Sequence, residues 1–269
     1  MIFVKGAGWM CNNILQYGHF YAWGREHGRK TMSMRFAFKF QHFRICNTPN
    51  HHFLTYVVAK YAAKWGLIPT IAFNEEGADT TAGEQEMLKH KHVVVAGWEA
   101  RWYDLFEKYK PEIIDLFAFK KSVVKAVEPL MAAVPAGSCR LGVHIRRGDY
   151  ATWYDGKYLF DDGVFISLIR QFVEQHPKTT VFICGNDPSL NKQRYETELG
   201  GTQMVFANGS AAEDLCLLSQ CDYLIGPPST FSLTAAMYHD TPLYWIKDAG
   251  APLTPEAFQH FNYLFRHLL

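Results

Sequence analysis

The 269-residue sequence predicts an α/β protein made of two domains. From residue 138 onward, short apolar and β-branched runs alternate with amphipathic helical segments, which is typical of a parallel sheet covered by helices on both faces. Near the start, an apolar run leads through Gly6-Ala7-Gly8 into a helical segment, the same strand–turn–helix unit. Between these regions, Pro135-Ala136-Gly137-Ser138 ends a long helical segment, so we place the domains at residues 1–137 and 138–269.

The composition is that of a packed globular protein, with 48% hydrophobic and 20% charged residues. The net charge of +1 argues against a general binder of nucleic acids or anionic membranes, since both need an extended basic face, so any binding of a polyanion must use a local cluster. No apolar run reaches membrane-spanning length, while peripheral membrane association stays open. The six cysteines form no CxxC pair, which favours a reducing compartment, and we therefore expect a cytoplasmic protein.

In the first half, the pattern of apolar residues predicts strands and helices around one polar loop. That loop, residues 74–85, contains Glu75, Glu76 and Asp79, for which a solvated loop is favoured over a metal site. Predicted strands cover residues 1–6, 31–36, 67–73 and 92–96, and predicted helices cover 11–28, 51–65, 103–109, 111–117 and 120–134.

In the second half, the alternation of strand and helix is regular. Asp187 is expected to cap a helix that begins at Pro188, and Thr254 to cap a terminal helix that begins at Pro255. Predicted strands cover residues 140–146, 180–185, 203–207, 223–226 and 242–246, and further predicted helices cover 162–176, 211–221 and 231–238.

The stretch LGVHIRRGDY, residues 141–150, organises the functional argument. Its first half is a buried strand, and Arg146-Arg147 follow at the carboxyl end, where open α/β sheets bind ligands. The planar guanidinium of arginine can donate two parallel hydrogen bonds to a phosphate, and it remains positively charged at physiological pH. Asp149 can orient an arginine or act as a base. A surface ion-pair network at a basic strand end is the alternative interpretation.

A second constellation, Ser229-Thr230-Phe231-Ser232, opens a helix after another strand of the same sheet. Hydroxyls beside unpaired N–H groups at a helix start form a phosphate cradle, although a plain Ser/Thr N-cap has the same sequence. With Arg146-Arg147 at the same crevice, the two features together suggest a bound diphosphate. Charge-assisted arginine bonds are the stronger of the two contributions.

Missing motifs narrow the reaction. The sequence has no GxxxxGK[ST] loop, no GxGxxG after Val4, no zinc-type His/Cys spacing, no HExxH and no GxSxG. A diphosphate held by arginine and a helix end, without an obvious metal cage, fits a nucleotide-sugar glycosyltransferase.

Residues 144–150, HIRRGDY, resemble the HxRRGDY donor motif of the α1,2-fucosyltransferases of glycosyltransferase family 11. Glu213-Asp214-Leu215 and the later Ser229-Thr230-Phe231-Ser232 are similar to the EDL and STFS segments of that family. Residues 181–187, VFICGND, occupy the place of its middle strand-and-Asp motif, and Gly97-Trp98-Glu99 is similar to the start of its GYFQSEKYF stretch.

This resemblance implies two Rossmann-like α/β domains facing each other across a cleft, the GT-B type, with the acceptor domain first and the GDP-sugar domain second. It implies an inverting transfer of fucose from GDP-β-L-fucose to a galactose-type hydroxyl of a glycan, most readily as an α1,2 linkage. Such a reaction belongs to surface polysaccharide or oligosaccharide synthesis. The expected partners are GDP-fucose and a glycan acceptor, with no cofactor and no metal required.

The resemblance also implies residue roles. Arg146 would stabilise the leaving GDP, His144 and Asp214 would contact guanine, and Arg147 and Asp149 would order the motif loop. For the catalytic base, Asp149 is the first candidate and Asp155 or Glu99 the alternatives. The catalytic prediction is Arg146 and Asp149; the donor-binding prediction is His144, Arg146, Arg147, Asp187, Asp214, Ser229, Thr230, Phe231 and Ser232; the acceptor-side prediction is Asn12, Asn13, Gln16 and Glu99.

The first turn departs from the GGLGNQ pattern of that family. Asn12 and Gln16-Tyr17 are kept, but Cys11 replaces a glycine and Asn13 replaces a glutamine, beside the bulky Trp9. The acceptor and the linkage are therefore open. Two alternatives remain at this stage: an enzyme of the same architecture with another nucleotide sugar, and a non-catalytic protein that binds nucleotides or glycans.

Overall fold

The computed structural model describes residues 1–74, 79–185, 187 and 190–268. Over these residues the chain forms two compact α/β units, Met1–Lys120 and Lys121–Leu269. Each unit contains one parallel sheet, which is the architecture that the alternating sequence pattern predicts.

The first unit has a four-stranded sheet of order β2-β1-β4-β3. The interior position of β1 suits its β-branched residues Ile2 and Val4, which are fully buried. Helix α1 packs on the sheet, and most of its residues are buried. Its elements are β1 (Ile2–Lys5), α1 (Met10–Glu26), β2 (Thr31–Ser33), α2 (Phe53–Lys64), β3 (Thr70–Ala72), α3 (Thr81–Lys89), β4 (Val93–Ala96) and α4 (Tyr103–Leu116).

Helix α3 lies where the sequence predicts a polar loop, so that part of the prediction is wrong. Glu84 in α3 accepts hydrogen bonds from the indole N–H groups of Trp23, at 2.8 Å, and Trp102, at 2.9 Å. Met87 is fully buried. These contacts come from distant parts of the chain and leave no local signature. Of the acidic residues in the predicted loop, Glu75 and Glu76 lie outside the described residues.

Helix α4 is one continuous helix, whereas two helices separated at Pro111 are predicted. Phe106 and Ile113, on either side of the proline, are both fully buried in the same unit. Packing on both sides of Pro111 therefore holds the segment helical through a residue that lacks the N–H donor. β2 is also shorter than predicted and ends at Ser33.

The second unit has a five-stranded parallel sheet of order β7-β6-β5-β8-β9. From the central β5 the chain builds outward to β6 and β7, then returns to β8 and β9 on the other side, so the strand order reverses beside β5. The elements are α5 (Lys121–Ala132), β5 (Cys139–Ile145), α6 (Asp162–Gln175), β6 (Thr179–Gly185), α7 (Lys192–Glu198), β7 (Gln203–Phe206), α8 (Ala211–Ser219), β8 (Tyr223–Gly226), α9 (Thr230–His239), β9 (Leu243–Trp245) and α10 (Phe261–Arg266).

The division between the units falls after Lys120, whereas the predicted domain boundary lies at residues 137 and 138. The segment between these positions contains α5, which packs against α8 of the second unit. The apolar face of α5, including the buried Val123 and Val127, accounts for this association.

Side chains of β5 alternate between two packing environments. Val143 and Ile145 belong to a buried cluster with Phe165 and Ile169 of α6. His144 points to the other face, where its ring meets Phe231 of α9. The alternation therefore places one polar ring of the central strand under the helices that follow β7 and β8.

Two predicted helix caps are wrong. α7 begins at Lys192 and is capped by Asn191, whose Oδ1 accepts from the Arg194 N–H at 3.1 Å, because the side chain of Asp187 is engaged elsewhere. Pro188 lies outside the described residues. Thr254 makes no side-chain cap; a short 3-10 helix covers Pro255–Ala257, and α10 starts later.

Candidate functional site

The carboxyl ends of β5 and β8 bring the two predicted motifs to the same edge of one sheet. Val143 pairs with Ile225 in parallel register, and the His144 and Phe231 rings stack with centroids 4.8 Å apart. A Cβ at Gly226 would come within 3.0 Å of the His144 carbonyl oxygen and 3.1 Å of its Cβ. Glycine at this position therefore permits the close approach of the two strands.

Arg146 leaves the end of β5 with its guanidinium only partly engaged. Its Nη2 donates to Asp149 Oδ2 at 2.8 Å, and its Cζ lies 5.7 Å from the centre of the Tyr150 ring. Its Nε is buried and has no hydrogen-bond partner among the described residues. The side chain is 21% exposed, so one edge of the fork remains accessible to an anion.

Tyr150 connects the loop after β5 to the start of α9. Its hydroxyl donates to the Pro228 carbonyl oxygen, and its ring packs against Trp153 at a centroid distance of 4.7 Å. Burial raises the pKa of Tyr150, so it remains a hydrogen-bond donor. Sequence reasoning gave this residue no role, although its position as the last residue of the HxRRGDY match was an available signal.

Arg147 turns in the opposite direction from its neighbour. Its Nη1 donates to Asp187 Oδ2 at 2.8 Å, its Nη2 to Asp162 Oδ1 at 2.5 Å and its Nε to the Phe160 carbonyl at 3.1 Å. The structure thus brings Arg147 and Asp187 together, as expected for members of one site. They are engaged in an internal ion-pair network that orders the loop, however, and not in the donor contacts that the sequence predicts for them. The sequence did not indicate this role for Asp162, because an aspartate at the start of a helix is ordinarily interpreted as a helix cap.

His144 is held neutral inside the fold. Burial, helped by the positive charge of Arg146, lowers the pKa of His144 to about 3. Its Nδ1 has no hydrogen-bond partner among the described residues. A buried imidazole of this kind is a neutral hydrogen-bonding group and not a cation.

Asp214 lies in the first turn of α8, beside a capping box formed by Ser210 and Glu213. Burial, with a contribution from the charge of Glu213, raises the pKa of Asp214 to about 7. Its carboxylate has no hydrogen-bond or ion-pair partner among the described residues. Gly142, two residues before His144, faces the same side of β5, and a Cβ there would lie 2.7 Å from Leu218 Cδ2 of α8. Helix α8, which carries Asp214, therefore packs on the His144 side of the sheet.

The start of α9 has partly exposed and fully buried hydroxyls. Ser229 caps the helix, with its Oγ accepting from the Phe231 N–H at 3.2 Å, and Thr230 is partly exposed. Ser232 is fully buried; its Oγ donates to the Ser229 carbonyl at 3.2 Å and accepts from Trp245 Nε1 at 3.4 Å. Ser232 therefore holds the turn together from inside and does not present its hydroxyl at the surface.

In the first unit, two of the predicted acceptor-side residues are buried and structural. Asn13 donates from Nδ2 to the carbonyls of Ala7, at 3.0 Å, and Trp9, at 2.7 Å, which fixes the turn between β1 and α1. Gln16 donates to the Gly97 carbonyl at the end of β4. Both side chains act on backbone inside the unit.

Asn12 and Glu99 are partly exposed in the first unit. The carboxylate of Glu99 makes no hydrogen bond among the described residues, while its backbone N–H donates to the Phe73 carbonyl at 2.9 Å. Arg35, which sequence reasoning missed, donates from Nε to the Gly6 carbonyl at 3.1 Å. The sequence offered no separate signal for it, because Arg35 lies inside the strand predicted over residues 31–36, which in the structure ends at Ser33.

The three candidate bases occupy different environments. Asp149 is exposed and hydrogen-bonded to Arg146. Asp155 is also exposed, in a left-handed turn with φ of 46° at Tyr154 and 53° at Asp155. Glu99 belongs to the first unit. Residues other than glycine with left-handed backbone angles are uncommon and concentrate at functional sites. The turn at residues 154–156 is therefore included in the candidate site together with the RRGD loop, residues 146–149.

Among residues 1–74, 79–185, 187 and 190–268, no group of three or more His, Cys, Asp or Glu is arranged to hold a metal ion. Over the same part of the chain, none of the helices combines the length and the apolar character needed to cross a membrane.

Comparison with known proteins identifies the family. The profile of glycosyl transferase family 11 matches residues 106–241, about half of the chain, including the RRGD loop and the start of α9. The chain belongs to glycosyl transferase family 11. The predicted resemblance is confirmed.

Relatives with curated names are similar to about half of the chain. Mouse galactoside alpha-(1,2)-fucosyltransferase 2 is 25% identical over 168 residues, which covers 56% of this chain and 47% of that protein. Bovine galactoside 2-alpha-L-fucosyltransferase SEC1 is 25% identical over 167 residues, covering 56% and 44%. The chain therefore spans about half the length of the curated relatives it matches.

Solved structures show the same fold over nearly the whole chain. A mutant of Arabidopsis thaliana FUT1 in complex with GDP has a TM-score of 0.62 and 13% identity, covering 96% of this chain and 73% of that one. POFUT1 in complex with GDP-fucose has a TM-score of 0.64 and 10% identity, covering 89% and 94%. The fucosyltransferase NodZ from Bradyrhizobium has a TM-score of 0.57 and 13% identity, covering 93% and 96%. The predicted fold class, Rossmann-like α/β units of the GT-B type, is confirmed.

Proposed function

We propose that this chain transfers fucose from GDP-β-L-fucose to a galactose-type hydroxyl of a glycan, with inversion and most readily as an α1,2 linkage. One observation carries the proposal. His144 Nδ1 and Arg146 Nε are buried at the carboxyl end of β5 without hydrogen-bond partners among the described residues, and burial raises the pKa of Asp214, in the first turn of α8, to about 7. Sheltered unpaired groups are costly unless a ligand satisfies them.

Guanine supplies the complement that these groups need. Its edge offers adjacent ring N–H and amino donors, which a carboxylate can accept together, so Asp214 is suited to bind the base. Adenine lacks the ring N–H, and uracil lacks the amino group. His144, neutral and stacked on Phe231, would give a further hydrogen bond to the same base.

The diphosphate is assigned to Arg146 and the start of α9. Arg146 offers an accessible edge of its fork, and Ser229 and Thr230 provide partly exposed groups at a helix N-terminus, where the helix dipole favours an anion. Leaving GDP gains negative charge as the glycosidic bond breaks, and Arg146 would stabilise that charge. Arg147, Asp187 and Tyr150 would position Arg146 and not touch the donor.

A base must remove the proton from the acceptor hydroxyl, and Asp149, Asp155 and Glu99 are the candidates. We propose that the reaction requires no metal and takes place in the cytoplasm. Support for the second point is that all six cysteines are free thiols in the structure. Each candidate base is tested by its own amide variant, since loss of the base lowers kcat far more than it raises the donor KM.

The deciding experiment is incubation of the protein with GDP-fucose and galactose-terminated acceptors, in the presence of EDTA, with product detection by mass. We expect a mass increase of one fucose on the acceptor. The same protein is then heated with GDP, UDP or ADP, where only GDP should raise the melting temperature; at a ligand concentration of 100 times Kd the gain is about 2.7 kcal/mol.

The outcomes separate the alternatives. Stabilisation by UDP or ADP in place of GDP would point to another nucleotide sugar. Stabilisation by GDP without transfer or donor hydrolysis would mean a binding protein without catalysis. Dependence on added divalent metal would contradict the metal-free mechanism alone.

A further inference from the structure

Helix α2 of the first unit exposes an apolar face that nothing in the proposed reaction uses. Leu54, Val58, Tyr61 and Trp65 recur at the spacing of one helix face and point outward; Leu54 is 72% and Trp65 69% exposed. Leu67, just beyond the helix, is 73% exposed. Contiguous exposed apolar surface of this kind marks an interaction site in soluble proteins.

The inner side of the same helix is a normal packing face. Ala59 is buried in a cluster with Phe3, Met32 and Val94, and the partly buried Tyr56 packs against that cluster. The exposed face is therefore an addition to a helix already anchored on its sheet, and not a helix lifted away from its core.

The charge around this face selects its partner. Residues 27–74 contain no Asp or Glu; their Lys and Arg residues are Arg29, Lys30, Arg35, Lys39, Arg44, Lys60 and Lys64. Arg44 pairs with Asp115, and Arg29 and Arg35 donate to backbone carbonyls. The positive charge beside the apolar face is therefore supplied by the lysines of α2 itself, Lys60 and Lys64. Charge complementarity therefore favours an anionic surface.

Lys60 and Lys64 flank the apolar stripe on one side of α2, and neither forms an ion pair among the described residues. Tyr61 and Trp65 pack with ring centroids 5.5 Å apart at the carboxyl end of the helix. Aromatic rings beside lysines on an exposed helix are the composition of segments that lie in the interface of a bilayer.

We propose that α2 docks on the surface of a membrane that contains anionic lipids, with Leu54, Val58 and Trp65 entering the headgroup region. Lys60 and Lys64 contact the lipid phosphates. The helix lies on the membrane and does not cross it. This association is independent of the proposed transfer reaction, because it rests on a different surface of the molecule and needs no donor.

The test is cosedimentation of the intact chain with vesicles of phosphatidylcholine alone or with roughly one-third phosphatidylglycerol. We expect binding to the anionic vesicles, weak binding to the neutral ones, and release as salt is raised. The double variant Leu54→Gln/Trp65→Gln should lower the vesicle partition coefficient by roughly tenfold or more. The charge reversal Lys60→Glu/Lys64→Glu should lower it by at least a similar factor.

Matched controls exist elsewhere in the chain. Lys121 and Lys125 on α5 are exposed with the same spacing, so Lys121→Glu/Lys125→Glu changes the net charge equally. Leu88 and Tyr263 are exposed apolar residues outside the patch, so Leu88→Gln/Tyr263→Gln matches the apolar loss. Both controls should bind vesicles like the unaltered protein, and melting temperatures of all variants establish that they are folded.

Equal binding to neutral and anionic vesicles, or no binding to either, overturns the proposal. So does a folded Leu54→Gln/Trp65→Gln variant that binds as the unaltered protein does. Light scattering gives the remaining outcome: if the unaltered protein is a dimer that this variant converts to a monomer, without a change in vesicle binding, the face is an interface between two copies of the chain.

Discussion

At the scale of single residues, the proposed donor site depends on His144, Arg146 and Asp214. Each is a polar side chain that folding removes from water without giving it a full set of partners, which costs on the order of 1–3 kcal/mol per group. A fold tolerates such groups where a ligand completes them. Under the proposed function, this sheet edge is preorganised for the donor before the donor binds.

Arg146→Ala should lower kcat/KM for fucosyl transfer by roughly 100–1,000-fold, because it removes the charge that faces the leaving diphosphate. Arg146→Lys keeps the charge but loses the planar fork, so it should recover only part of the rate. Steady-state kinetics with GDP-fucose measures both.

The control for this variant is Arg170→Ala on α6, an exposed arginine that pairs with Glu198 away from the sheet edge. It should leave the rate unchanged. An Arg146→Ala enzyme that keeps most of its rate would remove Arg146 from the catalytic role.

Asp214 makes a pH-dependent prediction. Its pKa is raised in the folded state to about 7, above the unfolded value, so the folded chain binds this proton more tightly than the unfolded chain. The stability that this proton confers is full below the unfolded pKa and is lost as pH rises from about 4 to about 7. Asp214→Asn has no such proton and should not show that part of the decline.

Urea unfolding of both proteins between pH 5 and pH 8 measures the difference, roughly in the range where the group titrates. GDP affinity should change in the opposite sense, because the carboxylate that accepts from guanine forms as pH rises through about 7. Parallel pH profiles for the unaltered protein and Asp214→Asn, in stability and in GDP affinity, would contradict both statements.

At the scale of elements, strand ends and helix starts converge at one edge of the second sheet. β5 supplies the RRGD loop, β8 leads to the start of α9, and Tyr150 joins the two through the Pro228 carbonyl. The Ser229 cap fixes the first turn of α9, so the geometry of the proposed phosphate site depends on a hydrogen bond that also stabilises the helix.

Ser229→Ala should lower the free energy of unfolding by about 0.5–2 kcal/mol, as expected for loss of an N-cap. It should also weaken GDP binding several-fold, since the first turn of α9 loses both a hydroxyl and its fixed geometry. Denaturant titration and calorimetry with GDP measure the two effects.

Asn191→Ala is the matched variant, because Asn191 caps α7, which carries none of the proposed site residues. A similar loss of stability is expected, with GDP affinity preserved. If both variants weaken GDP binding equally, the effect of Ser229 is a general loss of stability and not a contact at the site.

The whole molecule divides its tasks between two α/β units, Met1–Lys120 and Lys121–Leu269. The sheltered unpaired groups assigned to the donor all lie in the second unit. In the first unit, the amide nitrogens of Asn13 and Gln16 donate to backbone carbonyls, while Asn13 Oδ1 and Gln16 Oε1 are buried without a hydrogen-bond partner among the described residues. Helix α2 presents the apolar and basic face. The proposed nucleotide site and the proposed membrane-docking face thus lie in separate units.

Hydrogen exchange with and without GDP tests that division. GDP should slow exchange at the end of β5, the first turn of α8 and the start of α9, because ligand binding stabilises the elements that hold it. Amides of α2 should be unaffected. The strongest protection appearing in the first unit would place the nucleotide elsewhere and contradict the donor assignment.

Much of the fold follows from local pattern. Buried parallel strands are nearly continuous apolar runs, so β5, β6 and β8 could be located from sequence, and β8 was predicted at its observed bounds. It was also predictable that residues 146–149 and 229–232 meet at one edge of the sheet, because the carboxyl ends of parallel strands lie on the same side. Helix α3 and the unbroken helix α4 could not be predicted from sequence. The hydrogen bonds that Glu84 accepts and the burial of Phe106 depend on residues that are distant in the chain.

The sequence by itself determined the α/β class, the family and the sheet edge where the two motifs meet, because these depend on periodicity and on side-chain types at fixed spacing. The tertiary structure alone decided what each polar side chain does there. The Arg146 guanidinium is partly exposed, whereas that of Arg147 is hydrogen-bonded to Asp162 and Asp187. Ser232 is buried. Neighbouring residues of the same type face different surroundings, and their hydrogen-bond partners come from other elements of the chain.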